Sequence, residues 1–183
     1  MSSSAPYVPG PASGARIEKN GEEWTLVLVR ELSHPPAKVW TALTEPEHLR
    51  QWAPFDADRN LGTVGAATLT TVGAPKPHVT ETRVKRADPP EALEFSWGGG
   101  DLRWELAPTD SGGTRLTLWA NINRKYIAMG AAGWHVCFEV LERLLADRPI
   151  GRLAGPAAMK VVGWEQLHAD YQELLGVETP SWS

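Results

Sequence analysis

Ala128-Met129-Gly130-Ala131-Ala132-Gly133-Trp134-His135-Val136-Cys137-Phe138-Glu139-Val140-Leu141-Glu142-Arg143-Leu144-Leu145-Ala146-Asp147 decides how this chain is read. At 3.6 residues per turn, Trp134, Phe138, Leu141 and Leu145 fall on one stripe. Cys137, Val140 and Leu144 flank it, and Glu139, Glu142 and Arg143 lie opposite. The pattern predicts a long amphipathic helix with an apolar face too broad to leave in water, so the upstream chain must supply a surface that covers it.

That surface reads as sheet. Residues 24–32 alternate and are rich in β-branched and apolar side chains, which predicts a first strand, stopped by Ser33-His34-Pro35-Pro36. Pro36 suits a first helical turn, with Val39, Trp40 and Leu43 on one stripe. Glu45-Pro46 opens a second short helix that turns Leu49 and Trp52 inward and stops before Pro54. From Phe55 the period becomes two, predicting strands at 55–59, 66–72, 79–86, 92–97, 102–107 and 115–123. Short Gly/Pro/Asp-rich breaks at 62–65, 73–77, 88–90, 98–100 and 110–113 separate them, so neighbours should run antiparallel in a meander. Alternation turns Leu93, Phe95, Trp97, Leu102, Trp104, Leu106, Leu116, Leu118, Ala120 and Ile122 toward the long helix. Glu94, Arg103, Glu105, Thr117 and Asn121 turn outward. Trp119 shares that outer face, an expected homodimer contact. Beyond a loop at 147–156, Val162, Trp164, Leu167, Tyr171 and Leu174 predict a closing helix over 159–175 that ends at Gly176.

The fold class expected is α+β: a curved antiparallel sheet of about six to seven strands wrapped around a long C-terminal helix, with two short helices after the first strand. Residues 1–15, rich in Ser, Pro and Gly, read as a disordered tail, 16–176 as a single domain and 177–183 as a frayed end. At 183 residues the chain is long enough to bury a core without staples, and its single cysteine, Cys137, allows no internal disulfide. The net charge of −4 is scattered without basic runs, giving no electrostatic footprint for nucleic acid. The N-terminal residues lack the basic and apolar regions of a secretory signal, and no apolar stretch reaches membrane-spanning length. A cytoplasmic protein without membrane contact is expected.

Nine tryptophans are the unusual feature. An indole is bulky and carries an N–H that needs a partner when buried, so this number points to rings around a cavity or interface. Trp52, Phe55, Leu69, Trp97, Trp104, Trp134, Phe138 and Leu141 should converge on one volume between sheet and helix, forming the wall of an apolar site. His135, beside Trp134, and His78, on one strand face with Thr80 and Thr82, would bring polar groups to that site. The five histidines and the cysteine show no metal-ligand spacing, no Gly-rich run opens a helix to cradle phosphate, and no nucleophile with a base partner can be named. Neither metal nor cofactor is expected. Cys137, without a basic neighbour on its helix face, reads as an inert buried thiol.

Several local runs then fall into a known order. They are 36–46 (Pro-Ala-Lys-Val-Trp-Thr-Ala-Leu-Thr-Glu-Pro), 49–52, Asp88-Pro89-Pro90 followed by Leu93-Glu94-Phe95-Ser96-Trp97, residues 113–118, and Gly133-Trp134-His135. In this order the chain resembles the START-like, helix-grip (SRPBCC) superfamily. More narrowly, it resembles single-domain bacterial proteins related to the C-terminal domain of the Hsp90 ATPase activator. The resemblance covers residues 31–145 and implies a cavity between sheet and long helix that takes an apolar or aromatic small molecule. Relatives include lipid carriers, hormone receptors and aromatase/cyclases, so the fold leaves activity open. A cyclase- or hydrolase-like enzyme with His135 or His78 as acid/base, and a chaperone-related interaction module, are the alternatives. No run resembles the asparagine- and tryptophan-rich motif of the co-chaperone's N-terminal domain.

Overall fold

Across the described residues, 7–72 and 78–177 of the computed structural model, nine strands form two antiparallel sheets against one long helix. The larger sheet starts with a hairpin, β1 (Ala15–Asn20) and β2 (Glu23–Leu32), whose two-residue turn begins at Gly21 with φ +64°. Next to β2 comes β9 (Thr114–Asn121), then β8 (Gly100–Pro108), β7 (Ala92–Trp97) and the short β6 (Arg86–Asp88). The smaller sheet is β3 (Phe55–Ala57), β4 (Gly65–Thr71) and β5 (His78–Val84). Helices α1 (Pro36–Thr44) and α2 (Pro46–Trp52) each begin on proline, whose fixed φ suits a first turn and whose missing N–H would have had no helical partner there. The 3-10 turn Arg124–Tyr126 leads into α3 (Ile127–Leu145), followed by α4 (Pro156–Met159) and α5 (Trp164–Leu175).

Register places one apolar row across the large sheet. Leu28 pairs with Leu118, Leu118 with Trp104, and Trp104 with Leu93, all essentially buried. Side chains directly opposite in an antiparallel ladder share a face, so this row meets α3 as a unit. The hairpin between β7 and β8 turns on Gly98-Gly99, both at positive φ (+63° and +84°), a geometry that side chains with a Cβ rarely adopt. The two sheets are tied along β5 and β7, where the Ser96 N–H donates to Thr82 Oγ1 at 3.1 Å and the two hydroxyls lie 2.9 Å apart.

Several sequence expectations need correction. Strand β1 precedes the first predicted strand. Residues 7–14, read as part of a loose tail, pack on α3 and α5, and Val177 at the other end is buried, its N–H donating to Gln172 O. The strand expected over 79–86 divides into β5 and β6, and the closing helix divides at Gly163, whose φ of +91° no α-helix accepts. The predicted break at 73–77 and the chain ends at 1–6 and 178–183 lie outside the described residues.

Candidate functional site

Helix α3 presents two different flanks. On the flank toward the large sheet, Trp134 and Phe138 stack with ring centroids 5.7 Å apart. Trp104 of β8 meets both edge-on, at 5.5 and 6.1 Å, and Trp52 at the end of α2 closes the other side, 6.2 Å from Trp104 and 6.3 Å from Phe138. Phe55, Phe95 and Trp97 extend the cluster toward the smaller sheet, with separations of 5.2 to 5.9 Å. Leu69 and Leu141 are fully buried in the same core. The space between sheet and helix is therefore filled by rings in mutual contact. Edge-to-face pairs of this kind add about 0.5–1.5 kcal/mol each beyond area burial.

The polar atoms of the cluster are treated unequally. Trp52 Nε1 donates to Ala42 O and Trp97 Nε1 to Thr71 Oγ1, each at 2.9 Å. Trp97 is only half-buried and stands at the rim, where its indole bridges the two sheets. Trp104 Nε1 and Thr80 Oγ1 are buried with no hydrogen-bond partner among the described residues. Thr80 sits opposite Leu69 and so shares that buried side chain's face. His78 lies across from Thr71 at the same end of β5, on the parity that faces inward, but the strand end leaves it exposed.

His135 is not at this site. One residue after Trp134, it points about 100° further round the helix and joins a polar network on the other flank. Its Nδ1 lies 2.6 Å from Tyr171 Oη and 3.3 Å from Arg30 Nη2, and Arg30 Nη2 donates to Tyr171 Oη at 2.8 Å. A guanidinium only donates, so Nδ1 is the accepting nitrogen and the ring proton is assigned to Nε2, facing Glu139 Oε1 at 2.9 Å. That contact has ion-pair distance but poor hydrogen-bond alignment. Glu139 also accepts from Tyr7 Oη at 2.6 Å and Gly10 N at 3.0 Å, and Arg30 Nη1 reaches Ser13 O at 2.9 Å. Burial alone would raise the Glu139 carboxyl, but His135, Tyr7 and the Gly10 N–H together hold it below the usual carboxylate range. Burial raises the Tyr7 and Tyr171 hydroxyls. The network is a joint that fastens the N-terminal strap (residues 7–14) and α5 to α3. It replaces the exposed position that periodicity alone gives Glu139.

Other sequence candidates resolve simply. Burial pushes the Cys137 thiol up to about 12, which keeps it protonated. Trp119 is half-buried beneath Arg103, whose guanidinium lies 4.0 Å from the ring centroid, so the outer sheet face does not offer a bare indole. The pair borders a cleft of about 480 Å³ with Glu18, Lys85 and Asp101. Among the described residues no group of three or more His, Cys, Asp or Glu could hold a metal ion, and no helix is long and apolar enough to cross a membrane.

An antiparallel sheet closed over one long C-terminal helix, with an aromatic interior between them, defines a helix-grip α+β protein. The chain belongs to the family described as Activator of Hsp90 ATPase homolog 1-like protein, whose model matches residues 33–146. The strap, the β1–β2 hairpin, α4 and α5 lie outside that match. Among solved structures, the chain is similar to EF2215 of Enterococcus faecalis, a conserved protein of unknown function (18% identity, TM-score 0.64, covering 90% of this chain and 92% of that one). It is also similar to CalU16 of Micromonospora echinospora (18%, 0.61, 88% and 94%). Protein MLL2253 of Mesorhizobium loti has 28% identity and a TM-score of 0.58 over 68% of this chain and 97% of that one. No curated protein matches the sequence.

Proposed function

We propose that the protein binds an apolar or aromatic small molecule between the large sheet and α3, with Trp52, Phe55, Leu69, Trp97, Trp104, Trp134, Phe138 and Leu141 around it and His78 at the entrance. The observation that carries this reading is the aromatic cluster itself, with half-exposed Trp97 at its rim. A core needing only stability is served by aliphatic side chains that fill space without polar atoms. Rings concentrated beside a seam between two sheets instead offer flat surfaces to a flat guest, with Trp97 the ring that has to move. As the one ring of the cluster that is not buried, it gives up the least burial on moving.

A thermal-shift and indole-fluorescence titration against naphthalenes, steroids and fatty acids tests the reading. Saturable stabilisation is expected, about 2.7 kcal/mol at 100 times Kd, and Trp97→Ala should change affinity while leaving a folded protein. A panel with no saturable member would overturn it.

A further inference from the structure

On the outer face of the large sheet, away from the aromatic interior, we infer a binding site for a short peptide with free ends, its carboxylate on Arg103 and its amine on Glu23. Both residues line the cleft of about 480 Å³ there, with Trp119 and Asn121 between them. Cross-strand register sets Arg103 beside Trp119, and the guanidinium lies 4.0 Å from the indole centroid. Stacking of this kind fixes the plane of a guanidinium and leaves its N–H edge to hold a carboxylate in two parallel hydrogen bonds. That edge is unused. Among the described residues the Arg103 side chain makes no hydrogen bond, its Nε has no partner, and its ion pair with Glu105 Oε1 is 3.8 Å long. Arg30, Arg59 and Arg152, by contrast, each donate to at least two oxygens.

The surroundings decide the second charge. Glu18, Glu23, Glu94 and Asp101 outnumber Lys19, Lys85 and Arg103 around the cleft, so a plain carboxylate would enter a net negative site, and a ligand that also carries an ammonium would not. Glu18 and Asp101 are already paired, with Arg16 at 3.2 Å and Lys85 at 3.0 Å. The exposed Glu23 carboxylate has no partner among the described residues and is the acid left for an amine. Glu23 stands four residues along β2 from Val27, and Val27, Trp119 and Arg103 are successive cross-strand partners. At ~3.4 Å per residue and ~4.8 Å between strands, the Cα atoms of Glu23 and Arg103 are about 17 Å apart. Side chains reaching in from each end leave a gap of about 10 Å, the length of an extended tripeptide. Asn121 lies between, its Nδ2 donating to Thr25 Oγ1 at 2.9 Å, which leaves Oδ1 to accept from a peptide N–H.

Trialanine, N-acetyl-trialanine and trialanine amide test this on the full-length protein, followed by the ¹H–¹⁵N resonances of the Trp119 indole and Arg103 Nε, which are identified by their loss in Trp119→Phe and Arg103→Gln. Trialanine should shift both saturably, and blocking either end should weaken binding about tenfold. Arg103→Gln should remove the penalty for amidation and Glu23→Gln the penalty for acetylation, a matched pattern that a purely structural role would not produce. No saturable shift with trialanine, or a wild-type affinity that either block leaves unchanged, would overturn the inference. Both outcomes leave the interior site untouched, and the three wild-type affinities decide even where a variant does not fold.

Discussion

Trp134 and His135 are consecutive on α3, yet their flanks handle burial in opposite ways. Around Trp134 the partners are rings. Around His135 and the Glu139 carboxylate beside it the partners are a guanidinium, two phenols and a backbone N–H, drawn from the strap, β2 and α5. Directional partners fix one arrangement and hold elements in place, whereas apolar contacts leave shape to be filled and tolerate exchange. The ring flank is therefore held by shape, and the polar flank is where the chain is fastened. A histidine next to an aromatic cluster in sequence need not belong to it.

The comparison can be broken by mutation on either side. Phe138→Ala removes the ring that touches Trp52, Trp104 and Trp134, and should cost about 3–5 kcal/mol in urea unfolding, with the strap still protected from amide exchange. Tyr171→Phe takes one oxygen from the polar flank, leaving His135 Nδ1 and an Arg30 N–H short of a partner. A loss of about 1–3 kcal/mol is expected, with ligand affinity unchanged. Loss of ligand affinity in Tyr171→Phe would show that the flanks are not independent. The smallest effect is acid-dependent. Because the Glu139 carboxyl is held below its unfolded value of about 4.3, its contribution is complete above that value and fades as pH falls through the lowered native one. Hydrogen exchange corrected for intrinsic rate should show Gly10 losing protection only as pH falls below the unfolded carboxylate value, and Glu139→Gln should abolish that pH dependence.

The aromatic flank was legible because it follows local periods: three rings or aliphatics per strand at spacing two, and Trp134, Phe138 and Leu141 at helical spacing. Strand β7 and the proline starts of α1 and α2 were legible for the same local reasons. The hairpin β1–β2 was within reach, since Asn20-Gly21 is a turn signal, but Arg16, Glu18 and Lys19 give β1 the polar look of an edge strand that buries little. The polar flank was not legible. Arg30 and Tyr171 are 141 residues apart and Tyr7 and Glu139 132 apart, and no local period connects them. His135 was misplaced because neighbouring positions on a helix suggest a shared surface when only one of them faces it.

The Ser13 N–H lies 3.5 Å from Tyr171 Oη, across 158 positions of chain. With the strap and α5 side by side, the described residues run from one side of this contact round to the other. A short linker from the strap to the end of α5, with new ends cut in a surface turn such as Gly98-Gly99, would give a circular permutant whose order of synthesis changes while the contacts of strap, α3 and α5 are kept.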